Sequence, residues 1–562
     1  MRRIIAFTVC LVLLFGLSAC AIDKGINGDK KTDTKKPSEE KADLVDFYNL
    51  SDEVYLTVVD GKVSDSKDYS VRSDGQVYIP LNVARSLDSR FYYNKDEEQM
   101  IISTPSKLLY YWPNATNHRE GTTTVPDTVA MFRVFGGRLY VSAELFLQYS
   151  DISTRVFEKP QRVVLFRNGV NFPSKEVSVD TVIRIGASIQ KAIVAELKAG
   201  ESVIVTGDSE NGFYKVSTED GQVGYVVEKD LGRDSTVMIH ASSKNYARRT
   251  LPSEVHLMWH QMWAAQGAED LRTSLKNTKG ITVVSPTWFD FKDAQGAITT
   301  LANASYVEEA HRQGIQVWAL CSDFAADVKG YDILSNTEAR TNLEQNLINE
   351  VLRVGADGIN LDFEFITADS GPHYIQFIRE LYLLCREHNL VLTADNFVPN
   401  AGKAHYQLAD QADVLDYVIF MAYDEHYKGS GAGSVASYPW VETAVNNALK
   451  IVPAEKIVLG IPLFNRIWMT DKEGKLTISD GGMSTVTEQA KKNSTPTWDD
   501  DLKQFYAEYT DKKSGTKYQF WIEDAKSLEY KLKLIPDKGL AGYAGWKLGL
   551  EAPDVWGLLE QY

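Results

Sequence analysis

Asn360, Asp362 and Glu364 carry the side chains of this chain best suited to acid–base chemistry. They alternate through the run Gly355-Ala356-Asp357-Gly358-Ile359-Asn360-Leu361-Asp362-Phe363-Glu364-Phe365. Side chains of a strand point to opposite faces in turn. One extended segment would therefore place these three on one face and Ile359, Leu361, Phe363 and Phe365 on the other. A run this apolar is expected inside a parallel sheet, where an unpaired charge is costly. Two carboxyls so close resist ionising together, which holds one of them protonated near neutral pH. A protonated carboxyl can deliver its proton to a leaving-group oxygen. The structural alternative is a buried acidic pair neutralised by Arg or Lys from neighbouring strands.

The pattern Asp357-x-x-Asn360-x-Asp362-x-Glu364 resembles the fourth-strand signature Asp-x-x-Asp-x-Asp-x-Glu of glycoside hydrolase family 18. The resemblance implies an α/β fold, a (β/α)8 TIM barrel that cleaves β-linked N-acetylglucosamine bonds, with its catalytic groups at the C-terminal ends of the strands. It implies that Glu364 is the general acid/base and that Asp362 orients the 2-acetamido group of the substrate. The acetamide oxygen is then the nucleophile, and no enzymic nucleophile is required. Position 360 departs from the pattern. Asn keeps the hydrogen bonds but cannot ionise, so one like charge beside Asp362 is missing.

Three further segments fit the same family. Met421-Ala422-Tyr423-Asp424 is similar to its sixth-strand Met-x-Tyr-Asp, which implies that Tyr423 bonds the acetamide carbonyl and Asp424 holds the sugar. The segment from Gly460 to Trp468, with Arg466, resembles its seventh strand. Trp546 resembles the eighth-strand tryptophan that floors the −1 subsite, where an indole face covers the C–H surface of a pyranose. Asn396, after the fifth strand, is a further binding candidate, as is Asn360. The segments Asp424-Glu425-His426 and Ser434 to Val441 resemble the branch of spore-cortex and cell-wall N-acetylglucosaminidases. No metal or organic cofactor is implied.

These residues need a frame, and the region 240–562 supplies one. Eight apolar strand candidates alternate with helical patterns, as in a parallel barrel. They start near Val255, Ile281, Gln316, Gly358, Val391, Tyr417, Ile457 and Leu540. The last two are far apart, and residues 469–536 carry strand signals of their own, including Tyr518 to Ile522. A small α+β insertion between strands 7 and 8, forming one wall of a cleft, is expected.

Two smaller regions precede the barrel, since 562 residues are too many for one core. Residues 47–170 hold a near-repeat. The segment Gly75 to Leu87 leads to Met100–Ser103, and Gly137 to Tyr149 leads to Val163–Phe166. Each half reads as a strand, a helix and two strands. The region resembles the copper-amine-oxidase-N-terminal-like α+β module of bacterial surface proteins. That name implies no copper here, because the region's one histidine is His118 and no metal-ligand cluster surrounds it. Residues 175–235 show short strands with regular turns, which suggests a small β-barrel, and they resemble bacterial SH3-like domains.

The start of the chain reads as a targeting segment. Arg2-Arg3 precede the apolar run Ile4–Leu17 and then Ser18-Ala19-Cys20, a run too short to span a membrane as a signature of its own. Leu17 to Cys20 resembles a bacterial lipobox. The resemblance implies a lipoprotein signal peptide over 1–19, lipid on Cys20, and attachment to the outer face of the cytoplasmic membrane in the cell-wall space. Residues 20–46, rich in Lys, Asp, Glu and Thr, read as a flexible linker. Of the four cysteines, only Cys321 and Cys385 fall in folded regions, so neither a disulfide framework nor a zinc pattern exists. The formal charge of −16 with no basic run argues against nucleic acid as a partner.

The expected partner is therefore a glycan containing N-acetylglucosamine, peptidoglycan first. A chitinase or an endo-N-acetylglucosaminidase on another glycan is the alternative on the same barrel. A non-catalytic glycan-binding lectin is the alternative of a different class, and Asn360 is the residue that favours it.

Overall fold

Eight apolar runs find their hydrogen-bond partners in one another. The computed structural model describes residues 36–240 and 245–562. Within it lie β1 (Val255–His260), β2 (Val283–Phe291), β3 (Gln316–Ser322), β4 (Gly358–Asp362), β5 (Val391–Phe397), β6 (Tyr417–Met421), β7 (Ile457–Pro462) and β8 (Gly542–Trp546). Each pairs in parallel with the next, and β8 pairs back with β1. The ring is closed and has no free edge. Alternate residues of the strands fill its interior: Leu257, Trp259, Trp318, Leu320, Val391, Ile419 and Val458 form one cluster drawn from strands. Residues of the opposite parity, among them Ile359, Leu361 and Leu392, pack with the surrounding helices.

Helices α1 (Thr337–Val354), α2 (Gly371–Glu387) and α3 (Leu408–Val414) follow β3, β4 and β5. The Asn336 side chain caps α1 by accepting the Ala339 N–H, and Gly355, at φ 76°, ends it in the left-handed conformation that glycine adopts without strain. That turn feeds β4 directly. Between α1 and α2, Arg340 and Glu380 form a fully buried ion pair, with Nη2 to Oε1 at 3.0 Å. Gln376 Nε2 donates to the same carboxylate at 2.7 Å.

The insertion between β7 and β8 is a five-stranded antiparallel sheet whose first strand is Phe464–Thr470 and whose central partner is Lys517–Ile522, with the helix Met483–Asn493 on one face. Phe520, Ile522, Val486 and Ala490 form its core.

Ahead of the barrel, the near-repeat takes the order strand, helix, two strands in each copy: Gln76–Pro80, Leu81–Leu87, Phe91–Asn94 and Gln99–Ser103, then Arg138–Ser142, Ala143–Tyr149, Ile152–Glu158 and Gln161–Arg167. This module docks on the outer helices of the barrel. Glu97 accepts the Thr337 N–H at the start of α1 at 2.7 Å, Gln376 Nε2 donates to Ser103 Oγ at 2.9 Å, and Arg379 Nη2 donates to Ser89 Oγ at 2.7 Å. Residues 171–238 form a seven-stranded antiparallel sheet.

The flexible linker expected over 20–46 is structured in its last part. Ala42 N–H donates to Ile193 O at 2.7 Å, Ser38 N–H donates to Ile189 O at 2.8 Å, and Asp43 caps the short helix Leu44–Phe47. A polar composition leaves the backbone free to pair, and the strand Ile193–Leu197 at the edge of this sheet offers unpaired groups. The segments expected as a signal peptide and as the earlier part of the linker, with Cys20, lie outside the described residues. Among the described residues no helix is long and apolar enough to cross a membrane. Cys321 and Cys385 are free thiols buried in the barrel.

Candidate active site

The strand expected through Phe365 is shorter than its apolar pattern. β4 ends at Asp362, Phe363 still packs in the core, and Phe365 is 67% exposed. Glu364 therefore owes its position to a clamp rather than to the pleat. Asp323, just past β3, accepts the Glu364 N–H at 2.8 Å and the Phe365 N–H at 3.0 Å through its two carboxylate oxygens. The clamp turns the chain outward at the C-terminal mouth of the barrel. Burial, then the charges of Asp323 and Asp424, lift the Glu364 carboxyl from 4.5 to about 7, against a smaller opposing pull from Lys403. An acid with that value is half-protonated at neutral pH, which suits a group that must give a proton and take one back.

Asp362 is buried at the end of β4, and its Oδ1 has no hydrogen-bond partner. Burial raises its pKa well above the ordinary carboxylate range, and the charges of Asp395, Glu364 and Asp323 add to the rise. Asp395 on β5 is the residue that sequence reasoning missed. Its Oδ2 accepts hydrogen bonds from Asn360 Nδ2 at 2.7 Å and from Trp259 Nε1 at 3.1 Å, while its Oδ1 is unpartnered. Burial raises this carboxyl too. The register of β4 with β5 pairs Leu361 with Ala394, so one step further along Asp395 lies beside Asp362. The carboxyl absent at position 360 is thus supplied by the neighbouring strand, and Asn360, fully buried, is the donor that holds it.

Asn396 is not in the site. It lies on the outward face of β5, where it exchanges two hydrogen bonds with Gln411 of α3, at 2.9 and 3.0 Å. The reason is parity. On β5, Val391 belongs to the interior cluster, so Thr393 and Asp395 share its face and Asn396 cannot. The alternation that singled out positions 360 and 362 would have chosen Asp395 here.

The remaining candidates do gather at this mouth. Tyr423, just past β6, stands edge-on to Trp259 and to Phe464, with ring centroids 6.4 and 6.3 Å apart. Burial pushes its phenol well above the usual range, which keeps the O–H as a donor. Trp546, the last residue of β8, lies 6.1 Å from Trp259, and the three rings line the floor. Arg466 is buried and bridges outward. From the first strand of the insertion it pairs with Asp424 at 3.0 Å and with Asp480 on the neighbouring strand at 2.7 Å. Its role is therefore to fix Asp424 and to tie the insertion to the cleft.

A closed (β/α)8 ring, an elevated glutamic acid at its C-terminal mouth, paired buried aspartates behind it and an aromatic floor make an arrangement suited to acid–base chemistry on a sugar. Residues 325–551 match the family Glycosyl hydrolases family 18, and residues 180–232 match the Bacterial SH3 domain family. The second half of the chain is thus similar to family-18 glycosyl hydrolases, and the segment ahead of it to bacterial SH3 domains. It is similar to the cortical fragment-lytic enzyme of Bacillus subtilis, 26% identical over 245 residues that span 42% of this chain and 56% of that one. It is also similar to the uncharacterized glycosylase YvbX of Bacillus subtilis, 24% identical over 283 residues, 47% of this chain and 80% of the relative. The chain spans little more than half the length of the cortical fragment-lytic enzyme. Among solved structures, the spore cortex-lytic enzyme SleL of Bacillus megaterium shares the fold, with a TM-score of 0.50 at 19% identity, covering 64% of this chain and 88% of that one.

Proposed function

We propose that this chain hydrolyses β-linked N-acetylglucosamine bonds of peptidoglycan, with retention of configuration through the acetamide group of the substrate. The observation that carries the reading is Glu364. It is an acid poised near 7, clamped by Asp323 at the mouth of the barrel, with the floor of Trp259, Tyr423 and Trp546 on the far side. In this mechanism the N-acetylglucosamine ring rests on Trp546. Glu364 gives its proton to the glycosidic oxygen as the C1–O bond breaks, and the acetamide carbonyl oxygen bonds to C1. Asp362 Oδ1, unpartnered in the free site, accepts the acetamide N–H, and the Tyr423 O–H donates to the acetamide oxygen. Asp395 can hold the proton that the two aspartates share, which leaves negative charge on Asp362 opposite the oxazolinium cation. Glu364, now ionised, then takes a proton from water as the water oxygen bonds to C1 and the bond between C1 and the acetamide oxygen breaks, restoring the acetamide. No second carboxylate is needed as a nucleophile.

The peptidoglycan substrate is supported by the likeness to cortex-lytic relatives and by the SH3 domain ahead of the barrel. The same reading places the chain on the outer face of the cytoplasmic membrane, held by lipid on Cys20. The mechanism is tested by proton NMR of freshly formed product. The β-anomer at the new reducing end is expected before mutarotation, and initial release of the α-anomer would refute substrate participation.

A further inference from the structure

Past the end of β4 the ladder stops, and the backbone that carries Glu364 has to find other partners. The last paired residues are Asp362, opposite Ser322 of β3, and Leu361, opposite Ala394 of β5. The Phe363 carbonyl and the N–H groups of Glu364 and Phe365 come next, and buried backbone groups are costly when unpaired. Two side chains from outside the strand satisfy all three. Asp323 Oδ1 accepts the Glu364 N–H at 2.8 Å and Asp323 Oδ2 accepts the Phe365 N–H at 3.0 Å. The buried Tyr406 hydroxyl, at the end of the short helix Ala401–Tyr406 that follows β5, donates to Phe363 O at 3.0 Å. One peptide plane, between Phe363 and Glu364, is thus held at both of its polar ends, from the β3 side and from the β5 side.

Asp323 is itself held. It follows Ser322, the last residue of β3, and Asp290 on β2 accepts the N–H groups of the next two residues, Phe324 and Ala325, at 3.1 and 3.2 Å. The exits of β3 and β4 are each capped by a carboxylate from the strand before.

The hydrogen bonds also require a charge. Both oxygens of Asp323 accept, which a carboxylate does and an Asn side chain, with one oxygen and one NH2, does not. Burial lifts Asp323 to about 6, so it is ionised at neutral pH, where Glu364 still holds much of its proton. Asp323 is 4% exposed, and its charged neighbour, Asp290, is another acid. A like charge beside an acid resists its ionisation. The other groups around Glu364 are differently placed. Asp424, past β6, is answered by Arg466 at 3.0 Å. Asp362 and Asp395 are buried together, and burial favours the protonated form of both. Lys403, after β5, acts in the opposite sense and favours the ionised acid. Tyr406 and Tyr423 stay neutral, because burial raises both phenols. Asp323 is the like charge that no cation offsets.

We propose that Asp323 is a positioning residue of the general acid that acts in two ways, through its hydrogen bonds on the Glu364 backbone and through its charge on the Glu364 carboxyl, and that Tyr406 is a second positioning residue that acts through geometry alone. The assignment rests on the reading of Glu364 as the acid and names the groups that place and tune it.

The test follows the Glu364 carboxyl directly, by carbon-13 NMR of the full chain carrying glutamate labelled at its carboxyl carbon. The Glu364 signal is the one missing from Glu364→Gln. In the unmodified protein it should titrate near pH 7. Asp323→Asn should lower that midpoint by about one pH unit, carry the basic limb of kcat/KM down with it, and lower kcat at the optimum about tenfold. Asp323→Ser, which leaves room for water on both N–H groups, takes its place should the Asn variant not fold. Tyr406→Phe should lower kcat severalfold and leave the midpoint where it was. A midpoint unmoved by the change at Asp323, or moved equally by Tyr406→Phe, overturns the assignment and leaves Glu364 as the acid. A midpoint near 4.5 in the unmodified protein overturns both. The expected titrations with no hydrolysis of any N-acetylglucosamine glycan bear out the coupling and overturn the proposed function.

Discussion

Replacing Glu364 with Gln should stabilise this protein, and more at pH 8 than at pH 5. The folded carboxyl has a pKa of about 7, against 4.5 when hydrated. Between those values the unfolded chain has released its proton while the folded chain still holds it. Folding stability therefore falls as pH rises through this window, because protonation favours the folded state. At pH 5 the penalty is below about 1 kcal/mol, and at pH 8 it approaches about 3 kcal/mol. Glu364 is only partly buried, so solvent screening trims the difference between the two pH values to about 1–2.5 kcal/mol. Gln has the same shape and no charge, and it escapes this penalty. The assay is urea denaturation of both proteins at pH 5 and pH 8, followed by tryptophan fluorescence, with the difference in midpoint as the readout. Of the eleven tryptophans all but Trp112 lie in residues 240–562, with Trp259, Trp288, Trp318 and Trp468 buried there. A stability difference that is equal at the two pH values, or smaller at pH 8, would show that Glu364 is an ordinary hydrated carboxyl and would remove the physical basis of its role as an acid.

The other predictions are brief. kcat/KM on any cleaved glycan should fall about tenfold per pH unit above pH ~7 as Glu364 loses its proton, and a pH profile flat to pH 9 would contradict this. Asn396→Ala should lower stability by about 1–3 kcal/mol, because the buried Gln411 Oε1 loses its donor while Nε2 keeps only Tyr406 O, yet change kcat/KM less than twofold; a large kinetic loss with stability intact would put Asn396 back in the site. Arg340→Ala should cost about 3–5 kcal/mol by leaving Glu380 buried and unpaired, and a cost under 1 kcal/mol in denaturation would show the pair to be dispensable.

Much of the site was legible because it follows strand ends. Asp362, Tyr423 and Trp546 each lie at the last residue of a barrel strand or within two residues of it, and apolar runs mark such ends plainly. Glu364 was found through alternation, although the strand stops before it and a hydrogen-bond clamp from Asp323 completes the placement. That clamp was invisible in sequence, because nothing local to Asp323 announces which backbone it will meet across two strands. Asp395 is legible only when the parity of β5 is counted from the inward Val391, which puts Asp395 on the inner face and Asn396 on the outer one. Arg466 was legible as a residue of the mouth but not as a brace, since its pairing with Asp480 depends on the register of two neighbouring strands of the insertion. The docking of the first module on α1 and α2 depends on pairs such as Ser103 with Gln376 that are remote in the chain, and no periodicity encodes them.

The measurement that tests the central claim most directly is mass spectrometry of the products released from purified peptidoglycan by residues 21–562 and by the same chain carrying Glu364→Gln. The account predicts new muropeptides with N-acetylglucosamine at the reducing end from the unmodified chain and none from the variant, with both still sedimenting with the sacculi. Equal release by the two proteins would contradict the assignment of Glu364, and release of fragments ending in N-acetylmuramic acid would contradict the bond that the site is proposed to cleave.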